Sequence, residues 1–284
     1  MQQRKRYLGW VIVMLLVGLW GLNQPVTGHA AELAPATAPE MRPTLFFHGS
    51  SSSYLAEKHM VHAAKQAGVT KSVIRADVSY RGKVHLVGKI KKTAENPIVE
   101  VNYLNSNNLN YRTNGRWAKN VVKKLQKTYH IKSMNMVGHS MGNMAIMYYL
   151  LANGTNRKLP RLHKQVALGG HFDGVFGEDD YPHYLRLAKS GRPNHMDTAY
   201  RQLLKLRKTY PKKQVSVLNI YGDLGDGTDS DGRVSNNSSR SLRYLVGKRA
   251  LHYRAKQFKG RGAQHSKLHH NAKVDKLLIK FLWS

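Results

Sequence analysis

Ser140 is the residue whose setting points most directly to chemistry. It stands in the stretch VGHSMG, between Gly138 and Gly142, after an apolar run and before an apolar helical pattern. A G-x-S-x-G turn between a strand and a helix lifts the serine hydroxyl above the edge of a sheet, and the two glycines let strand and helix approach each other. The pattern predicts a nucleophile at Ser140, with the backbone N–H of Met141 beside it at the positive end of the helix.

A serine hydroxyl needs a base, and the base needs a carboxylate that orients it. His265 is the best candidate for the base because it follows the last predicted strand and precedes the last predicted helix. His269 and His270 lie closer to that helix and are expected at the surface or as helix caps. The order serine, acid, histidine is the chain order of α/β-hydrolases, so the acid is expected between Ser140 and His265.

The acid is expected in the loop GDLGDGTDSDGRVSNN, residues 222–237, because this loop gathers four aspartates in a chain with only 16 acidic residues. Asp231 is preferred, since its Asp-Gly turn and the apolar Val234 can hold the loop against the core while the carboxylate faces a histidine. Asp223, at the end of the preceding strand, is the alternative acid. Asp173, after the strand before that one, ranks third.

The spacing of the loop carboxylates argues against a helix-loop-helix calcium site. With Gly232 at position 6 of such a loop, Gly227 and Ser238 fall at positions 1 and 12, where carboxylate ligands are required. Asp226 and Asp229 are therefore interpreted as turn residues. The chain has no cysteine, which excludes disulfides, thiolate chemistry and cysteine-based zinc sites. We predict no metal ion or cofactor, although a calcium site of another geometry stays open.

A tetrahedral oxyanion needs two backbone donors, and the N–H of Met141 is expected to be one of them. The second is expected in the turn HGSSSS after the first apolar strand, where Ser50 is the nearest candidate and Ser51 the next. His48 begins this turn and precedes Ser140 in the chain, so it is expected to hold the turn rather than to act as the base.

The loops that carry these residues have to be positioned by a sheet. Apolar runs and helical periodicities alternate in the strand-then-helix order of a parallel sheet. Strands are predicted at PTLFF, PIVEVNYL, MNMV, QVALGG, QVSVLNIYG and ALHYRAKQF, and helices over 57–67, 116–129, 196–209, 239–246 and 274–282, with another after Ser140. Alternating stretches around Arg81 and Gly82 predict a hairpin over residues 72–90. The irregular stretch 171–195 is expected to form a small cap loop, and the fold class is three-layer α/β with a mostly parallel sheet.

The amino terminus has the features of a secretory signal peptide. A basic start, RKR, precedes an apolar run, and small residues follow, so residues 1–30 are predicted to be removed. Residues 31–42, rich in Ala and Pro, are interpreted as a linker, and residues 43–284 as one domain. The protein is therefore expected to be secreted or held at the cell surface. An uncleaved anchor is the alternative, because Trp10 and Trp20 flank the apolar run like interfacial residues.

The chain is strongly basic, with 46 Lys and Arg residues and a formal net charge of +30. Such a surface attracts polyanions. The basic residues are dispersed along the predicted helices and no nucleic-acid recognition motif accompanies them, so no specific nucleic-acid partner is predicted. Given the export signal, electrostatic contact with an anionic cell envelope is expected, and a merely solvated face is the alternative. The sequence does not set the oligomeric state.

Four stretches in order carry a resemblance to a known family: LFFHGSSSS, MNMVGHSMGN, YGD...SDGRV and AQHSKLHHN, with a terminal FLW. They are similar to the cell-surface hydrolases of Gram-positive bacteria, an α/β-hydrolase family of unknown physiological substrate. The resemblance covers nearly the whole chain after residue 30. It implies an α/β-hydrolase fold with a β-hairpin insertion after the first helix, and a triad at Ser140, Asp231 and His265. Asn143 stands where many relatives of the wider fold have a second glycine, which alters the packing of the turn.

The favoured hypothesis is a serine hydrolase that cleaves small carboxylic esters through an acyl-enzyme. Two alternatives stay open. One is a basic envelope-binding protein on a hydrolase scaffold with little turnover, and the other is an acyltransferase, in which an alcohol replaces water.

Overall fold

Strands and helices alternate along residues 40–284, which the structure, a computed structural model, describes. The strands are β1 (Thr44–Phe47), β2 (Val73–Val78), β3 (Val84–Val87), β4 (Ile98–Tyr103), β5 (Ser133–His139), β6 (Arg161–Leu168), β7 (Ser216–Asp223) and β8 (His252–Lys259). The helices are α1 (Lys58–Gln66), α2 (Tyr111–Tyr129), α3 (Met141–Asn153), α4 (Thr198–Leu203), α5 (Leu206–Thr209), α6 (Asn236–Arg240), α7 (Leu242–Val246) and α8 (Ala272–Trp283). The predicted signal peptide and most of the predicted linker lie outside the described residues.

The strands form one sheet in the order β3-β2-β4-β1-β5-β6-β7-β8. Neighbouring strands are parallel, except for the antiparallel pair β2 and β3. This pair is the predicted hairpin, and because β2 also pairs in parallel with β4, the hairpin extends the main sheet at one side. The carboxyl ends of the parallel strands lie along one edge of the sheet, so the loops that follow β1, β5, β7 and β8 can meet there.

Helices cover both faces of the sheet, which confirms the predicted three layers. The alternation of side chains along β1 sends Leu45 and Phe47 into one core and Phe46 into the other. The first core packs against α2, α3, α4, α5 and α7, and the second against α1 and α8. Burial on both faces explains why the central strands are continuous apolar runs. Among residues 40–284, no helix is both long enough and apolar enough to cross a membrane.

The largest differences from the predicted helix bounds occur in three segments, and side-chain capping explains where two of the helices begin. The α2 helix begins at Tyr111 rather than at residue 116, because the Asn110 side chain accepts a hydrogen bond from the N–H of Thr113. Likewise, Ser235 caps α6, which begins before the predicted residue 239, and the segment predicted as one helix over 239–246 is divided into α6 and α7. The segment predicted as one helix over 196–209 is divided into α4 and α5 by a turn at residues 204 and 205.

Candidate active site

Ser140 lies on a strained turn between β5 and α3. Its backbone adopts φ 51° and ψ −122°, a conformation that non-glycine residues rarely take. A Cβ added to Gly142 would stand 2.1 Å from the carbonyl oxygen of Phe47, and one added to Gly138 would stand 2.8 Å from the backbone nitrogen of Asn143. The strand and the helix therefore approach each other as closely as the sequence predicts, and both positions exclude any side chain.

A continuous hydrogen-bond chain links Ser140, His265 and Asp231. The imidazole Nδ1 of His265 lies 2.8 Å from Oδ2 of Asp231, and its Nε2 lies 2.9 Å from Oγ of Ser140. Because an ionised carboxylate only accepts hydrogen bonds, it selects the tautomer with the proton on Nδ1. Nε2 is then an acceptor for the Ser140 hydroxyl. The structure thus brings together the three side chains that the sequence singles out, from the loops after β5, β7 and β8.

Backbone hydrogen bonds hold the Asp231 carboxylate in this orientation. Its second oxygen, Oδ1, accepts hydrogen bonds from the N–H groups of Arg233, at 3.0 Å, and Val234, at 2.7 Å. The Asp231 carbonyl oxygen accepts from the N–H of His265 at 2.9 Å, which ties the acid loop to the histidine loop. Val234 is buried in the core. The apolar residue therefore pins the loop in the way that its spacing from Asp231 predicts.

The two other candidate acids lie among other partners. Asp223 accepts hydrogen bonds from the N–H of Gly225, at 2.9 Å, and from Nε2 of Gln257, at 2.8 Å. Asp173 accepts from the N–H of Asp197 at 2.9 Å, and burial raises the pKa of Asp173 to about 7. Neither carboxylate is hydrogen-bonded to His265. Asp223 therefore stabilises the end of β7, and Asp173 links the cap segment to α4.

The side chains of the two remaining aspartates of the acidic loop, Asp226 and Asp229, do not face a common site. Asp226 accepts from the N–H of Thr228 at 3.0 Å, as in a local Asx turn. The backbone of Asp229 has φ 51°. Its Oδ2 lies 3.7 Å from Nδ1 of the exposed His183. Within residues 40–284, no group of three or more His, Asp or Glu side chains is arranged to hold a metal ion. The four aspartates thus have four separate sets of contacts.

The two residues predicted to donate to an oxyanion, Ser50 and Met141, lie near Ser140. Ser50 and Met141 both line the same cleft as Ser140. Neither N–H donates a hydrogen bond to another described residue, as expected for Met141 at the first position of a helix. The next candidate, Ser51, instead donates its N–H to the carbonyl oxygen of Ser106 at 3.1 Å. The geometry therefore favours Ser50 over Ser51 as the second donor.

His48 holds the turn that carries Ser50. Its Nδ1 lies 2.8 Å from the carbonyl oxygen of Gly49, and its Nε2 accepts a hydrogen bond from the N–H of Tyr103 at 3.0 Å. Burial lowers the pKa of His48, which favours the neutral ring that these two contacts require. The structural role predicted for His48 is thus confirmed.

His139 is a neighbour of the site that sequence reasoning missed. Its Nε2 lies 3.0 Å from the carbonyl oxygen of His265, and the two rings stand 4.9 Å apart between centroids. Burial, reinforced by nearby histidines, lowers the pKa of His139 well below its ordinary value, so the ring is neutral and donates to that carbonyl. His139 is the variable residue just before Ser140 in the G-x-S-x-G stretch, and this adjacency was the only signal in the sequence.

His269 is buried beside His139, whereas its position in the sequence predicts a surface or helix-capping residue. The His269 side chain is buried, and its ring centroid lies 4.5 Å from that of His139. Its Nδ1 donates to the carbonyl oxygen of Ala56 at 2.7 Å. Burial lowers the pKa of His269 to about 4, so its ring is also neutral near pH 7. Tertiary packing of the 3₁₀ turn at residues 265–270 buries it, which its position in the sequence does not reveal.

A cleft of about 420 Å³ opens above Ser140. The cap segment contributes His171, Val175 and Glu178, and the acid loop contributes Arg233 and Val234. At the rim, Arg233 Nη2 lies 3.4 Å from Oε1 of Glu178, and both side chains are more than half exposed. Inside the cleft, polar groups outnumber apolar ones, which favours a small ligand with polar parts.

The comparison with protein families identifies the class of protein that this fold and site define. A family model described as alpha/beta hydrolase of unknown function (DUF915) matches residues 34–284. The chain belongs to this family of α/β-hydrolases. The fold and the resemblance inferred from the four sequence motifs are therefore confirmed.

Solved structures show the same fold. The lin2722 product of Listeria innocua is 23% identical, with a TM-score of 0.76 over 86% of this chain and 94% of that one. A candidate cell surface hydrolase of Lactobacillus plantarum WCFS1 is 20% identical, with a TM-score of 0.67 over 87% and 91%. A carboxyl esterase of Bacillus coagulans, in complex with glycerol, is 14% identical, with a TM-score of 0.50 over 86% and 89%. No curated protein sequence matches the chain.

Proposed function

We propose that the protein is a serine hydrolase that cleaves small carboxylic esters through an acyl-enzyme. The observation that carries this proposal is the hydrogen-bond chain from Ser140 through His265 to Asp231, with links of 2.9 and 2.8 Å. The strained backbone of Ser140 supports it, because strain at a nucleophile is a device that presents the reactive oxygen. Membership of an α/β-hydrolase family supports it as well.

The reaction would proceed in two halves. In the first, Ser140 Oγ attacks the carbonyl carbon of the ester while His265 Nε2 accepts the hydroxyl proton. The imidazolium then donates this proton to the alkoxide oxygen of the leaving group as the C–O bond breaks, which leaves the acyl group on Ser140. In the second half, water attacks the acyl carbon, His265 accepts a proton from the water and returns it to Ser140 Oγ, and the acid is released.

Three groups stabilise the charges that develop during these steps. Asp231 stabilises the imidazolium and, held by two backbone N–H groups, does not need to reorganise. The N–H groups of Ser50 and Met141 would donate to the oxyanion of the tetrahedral intermediate. One such donor contributes about 3–4 kcal/mol to transition-state stabilisation in a serine hydrolase. His139 acts as a positioning residue through its contact with the His265 carbonyl oxygen.

The cleft favours esters of short acids. A long acyl chain gains about 0.8 kcal/mol for each CH₂ group that leaves water, and it needs an apolar channel to do so. The cleft of about 420 Å³ is instead lined by hydroxyl, imidazole and amide groups, with Val175 and Val234 among its few aliphatic side chains. The Bacillus coagulans protein, which shares the fold, is described as a carboxyl esterase, and this agrees with an ester as the substrate class.

The location proposed for the protein is the outside of the cell or its surface. The proposal rests on the sequence features of residues 1–30 and on the Lactobacillus plantarum relative, which is described as a candidate cell surface hydrolase. Residues 31–42 would then connect the amino terminus to the hydrolase domain, residues 43–284.

A fluorophosphonate probe tests the proposal, because it labels a serine only where the hydroxyl is activated. The wild-type protein should be labelled, and the Ser140→Ala variant should not, while the two share the same melting temperature. Labelling that persists in Ser140→Ala, or none in the wild type, would refute the assignment of the nucleophile. Rates with acetyl, butyryl and octanoyl esters of one alcohol then test the substrate class, and octanoyl esters should be the slowest.

A further inference from the structure

The amino edge of the sheet, opposite the carboxyl edge where Ser140 lies, is positively charged near β6, β7 and β8. No Asp or Glu occurs in three long stretches of the chain, residues 101–172, 198–222 and 232–274, which include the segments that lead into β6, β7 and β8. In contrast, nine of the sixteen acidic residues lie within residues 173–197 and 223–231. Half of the acidic residues therefore lie in the cap segment and the acidic loop, and the segments that lead into β6, β7 and β8 carry cations but no acids.

A second cleft, of about 580 Å³, opens at this amino edge. It lies between the end of α3, the start of β6 and the segments that lead into β7 and β8. Its charged lining residues are Arg157, Arg161, Lys212 and Arg249, and none is acidic. We call this feature the basic cleft. Asn153 and Gln214 add amide groups to its wall.

The four cations of the basic cleft have no acidic partner. Among residues 40–284, the ion pairs involve other side chains, and no carboxylate lies within 4.0 Å of any of these four. Arg157, Arg161 and Lys212 are exposed, so they can reorient toward a ligand. Arg249 is partly buried and donates to the carbonyl oxygen of Tyr210, which fixes its guanidinium at the wall.

The pKa of the nearby His163 reflects the same excess of positive charge. Burial lowers the pKa of His163, and the positive charges of Arg42 and Lys164 lower it further. Arg161, at the rim of the basic cleft, acts on His163 in the same direction, and Glu40 opposes these three cations with the smallest effect. The amino edge thus repels additional cations and attracts an anion.

The shape and lining of the basic cleft narrow the class of anion. Several cations along one groove match a chain with repeated charges better than they match a single ion, and guanidinium groups pair well with phosphate oxygens. Proteins that bind single-stranded nucleic acids also offer exposed aromatic rings on which bases stack. The aromatic residues of this cleft, Tyr149 and Tyr210, are buried. The lining therefore suits a phosphodiester chain without bases.

We propose that the basic cleft is a binding site for a polyol phosphate polymer, separate from the site at Ser140. The chain enters β1 at Thr44 from this same amino edge, whereas Ser140 lies at the carboxyl edge. Polymer bound in the basic cleft would therefore leave the cleft above Ser140 open. The basic cleft would hold the protein on an anionic matrix while the other edge of the sheet remains accessible to small substrates.

The test measures binding of a fluorescently labelled poly(glycerol phosphate) chain by anisotropy at several salt concentrations. The variant R157Q/R161Q/K212Q removes three cations of the basic cleft and leaves Arg249, which has a structural contact. Its affinity should fall at least tenfold, and the slope of log K against log salt should become less steep by about 2, as expected for three lost phosphate contacts on a single strand.

The control variant K123Q/K124Q/K127Q removes the same charge from exposed positions of α2. It should lower the affinity less than about threefold, because only the general attraction of a basic surface is weakened. Equal loss in the two variants would overturn the proposal. So would capture by phosphatidylglycerol vesicles without binding of the polymer, or equally tight binding of single-stranded oligothymidine. Melting temperatures establish that each variant is folded, independently of any ester hydrolysis.

Discussion

At the carboxyl edge of the sheet, the polar side chains around Ser140 are buried and hydrogen-bonded to one another, whereas at the amino edge the cations of the basic cleft stand apart and lack acidic partners. The first arrangement fixes the direction of each group, because proton transfer depends on orientation. The second supplies total charge, because attraction to a polyanion depends on how many phosphates are neutralised. Single substitutions should therefore act strongly at the first edge and weakly, but additively, at the second.

The largest expected effect distinguishes the two candidate acids of the acidic loop, Asp231 and Asp223. Asp231→Asn should lower kcat about 10³- to 10⁴-fold, because an amide at this position no longer selects the His265 tautomer that accepts the Ser140 proton. Asp223→Asn is the matched control, and it should retain most of the activity because Asp223 contacts Gly225 and Gln257. The rate of hydrolysis of an acetyl ester measures both, and the opposite ranking would show that Asp223 is the acid. Neither change should alter polymer binding in the basic cleft.

A second prediction concerns the turn that presents Ser140. Gly142→Ala should destabilise the protein by about 1–3 kcal/mol or more, because the new Cβ would stand 2.1 Å from the Phe47 carbonyl oxygen and β1 and α3 cannot both stay in place. Gly262→Ala serves as a control, since a Cβ there meets only Asn271 Nδ2, at 3.3 Å. Urea unfolding compares the two. A Gly142→Ala variant of normal stability would mean that strand and helix lie farther apart than described.

The buried carboxyl group of Glu57 should make the stability of the protein depend on pH. Both of its carboxylate oxygens are buried without a hydrogen-bond partner among the described residues, and burial together with Glu100 raises its pKa from 4.5 to about 8. The folded state therefore binds a proton that the unfolded state has released. The stability due to protonated Glu57 is present below pH 4.5 and is lost as the pH rises to about 8, by about 1.4 kcal/mol per pH unit.

Glu57→Gln removes this dependence. Relative to the wild type, the variant should gain stability as the pH rises from about 5 to about 9, and buried histidines cancel in the comparison because both proteins carry them. Glu95→Gln, at an exposed position, is the control and should show no such trend. Melting temperatures across this range measure the difference. A constant difference between Glu57→Gln and wild type would contradict the raised pKa of Glu57.

The smallest effect is expected at the rim of the Ser140 cleft. Arg233 and Glu178 form an ion pair at 3.4 Å, but both side chains are more than half exposed, and exposed pairs contribute less than about 1 kcal/mol. Glu178→Gln should therefore change kcat/KM for a small neutral ester less than about fivefold. A much larger loss would mean that charge at the carboxyl edge acts through the substrate rather than through fixed hydrogen bonds.

The sequence was sufficient to predict the fold and the three residues that the structure brings together, because local patterns specify each of them. The glycines around Ser140 predict the turn, and the apolar Val234 behind Asp231 predicts how the acid loop is anchored. The roles of His139 and His269 were not predictable in this way, since they depend on contacts with residues distant in the chain, such as His265 and Ala56.

The basic cleft could not be predicted from the sequence either, because it also depends on contacts between distant segments. Its cations come from three separate segments, and along the chain they look like the ordinary charged residues of helix ends and loops. Only the parallel sheet, which places the starts of β6, β7 and β8 side by side, brings Arg161, Lys212 and Arg249 into one groove. The absence of acidic residues from those segments is visible in the sequence, but its meaning depends on the topology.

Trapping of the acyl-enzyme by mass spectrometry is the most direct test of the central claim. The protein is mixed with an activated acetyl ester, quenched in acid during turnover, and digested to peptides. We predict an acetyl group on Ser140 in the wild type and no acetylation of this peptide in Ser140→Ala. Steady ester hydrolysis with Ser140 unmodified, or acetylation at another residue that accounts for turnover, would contradict the account.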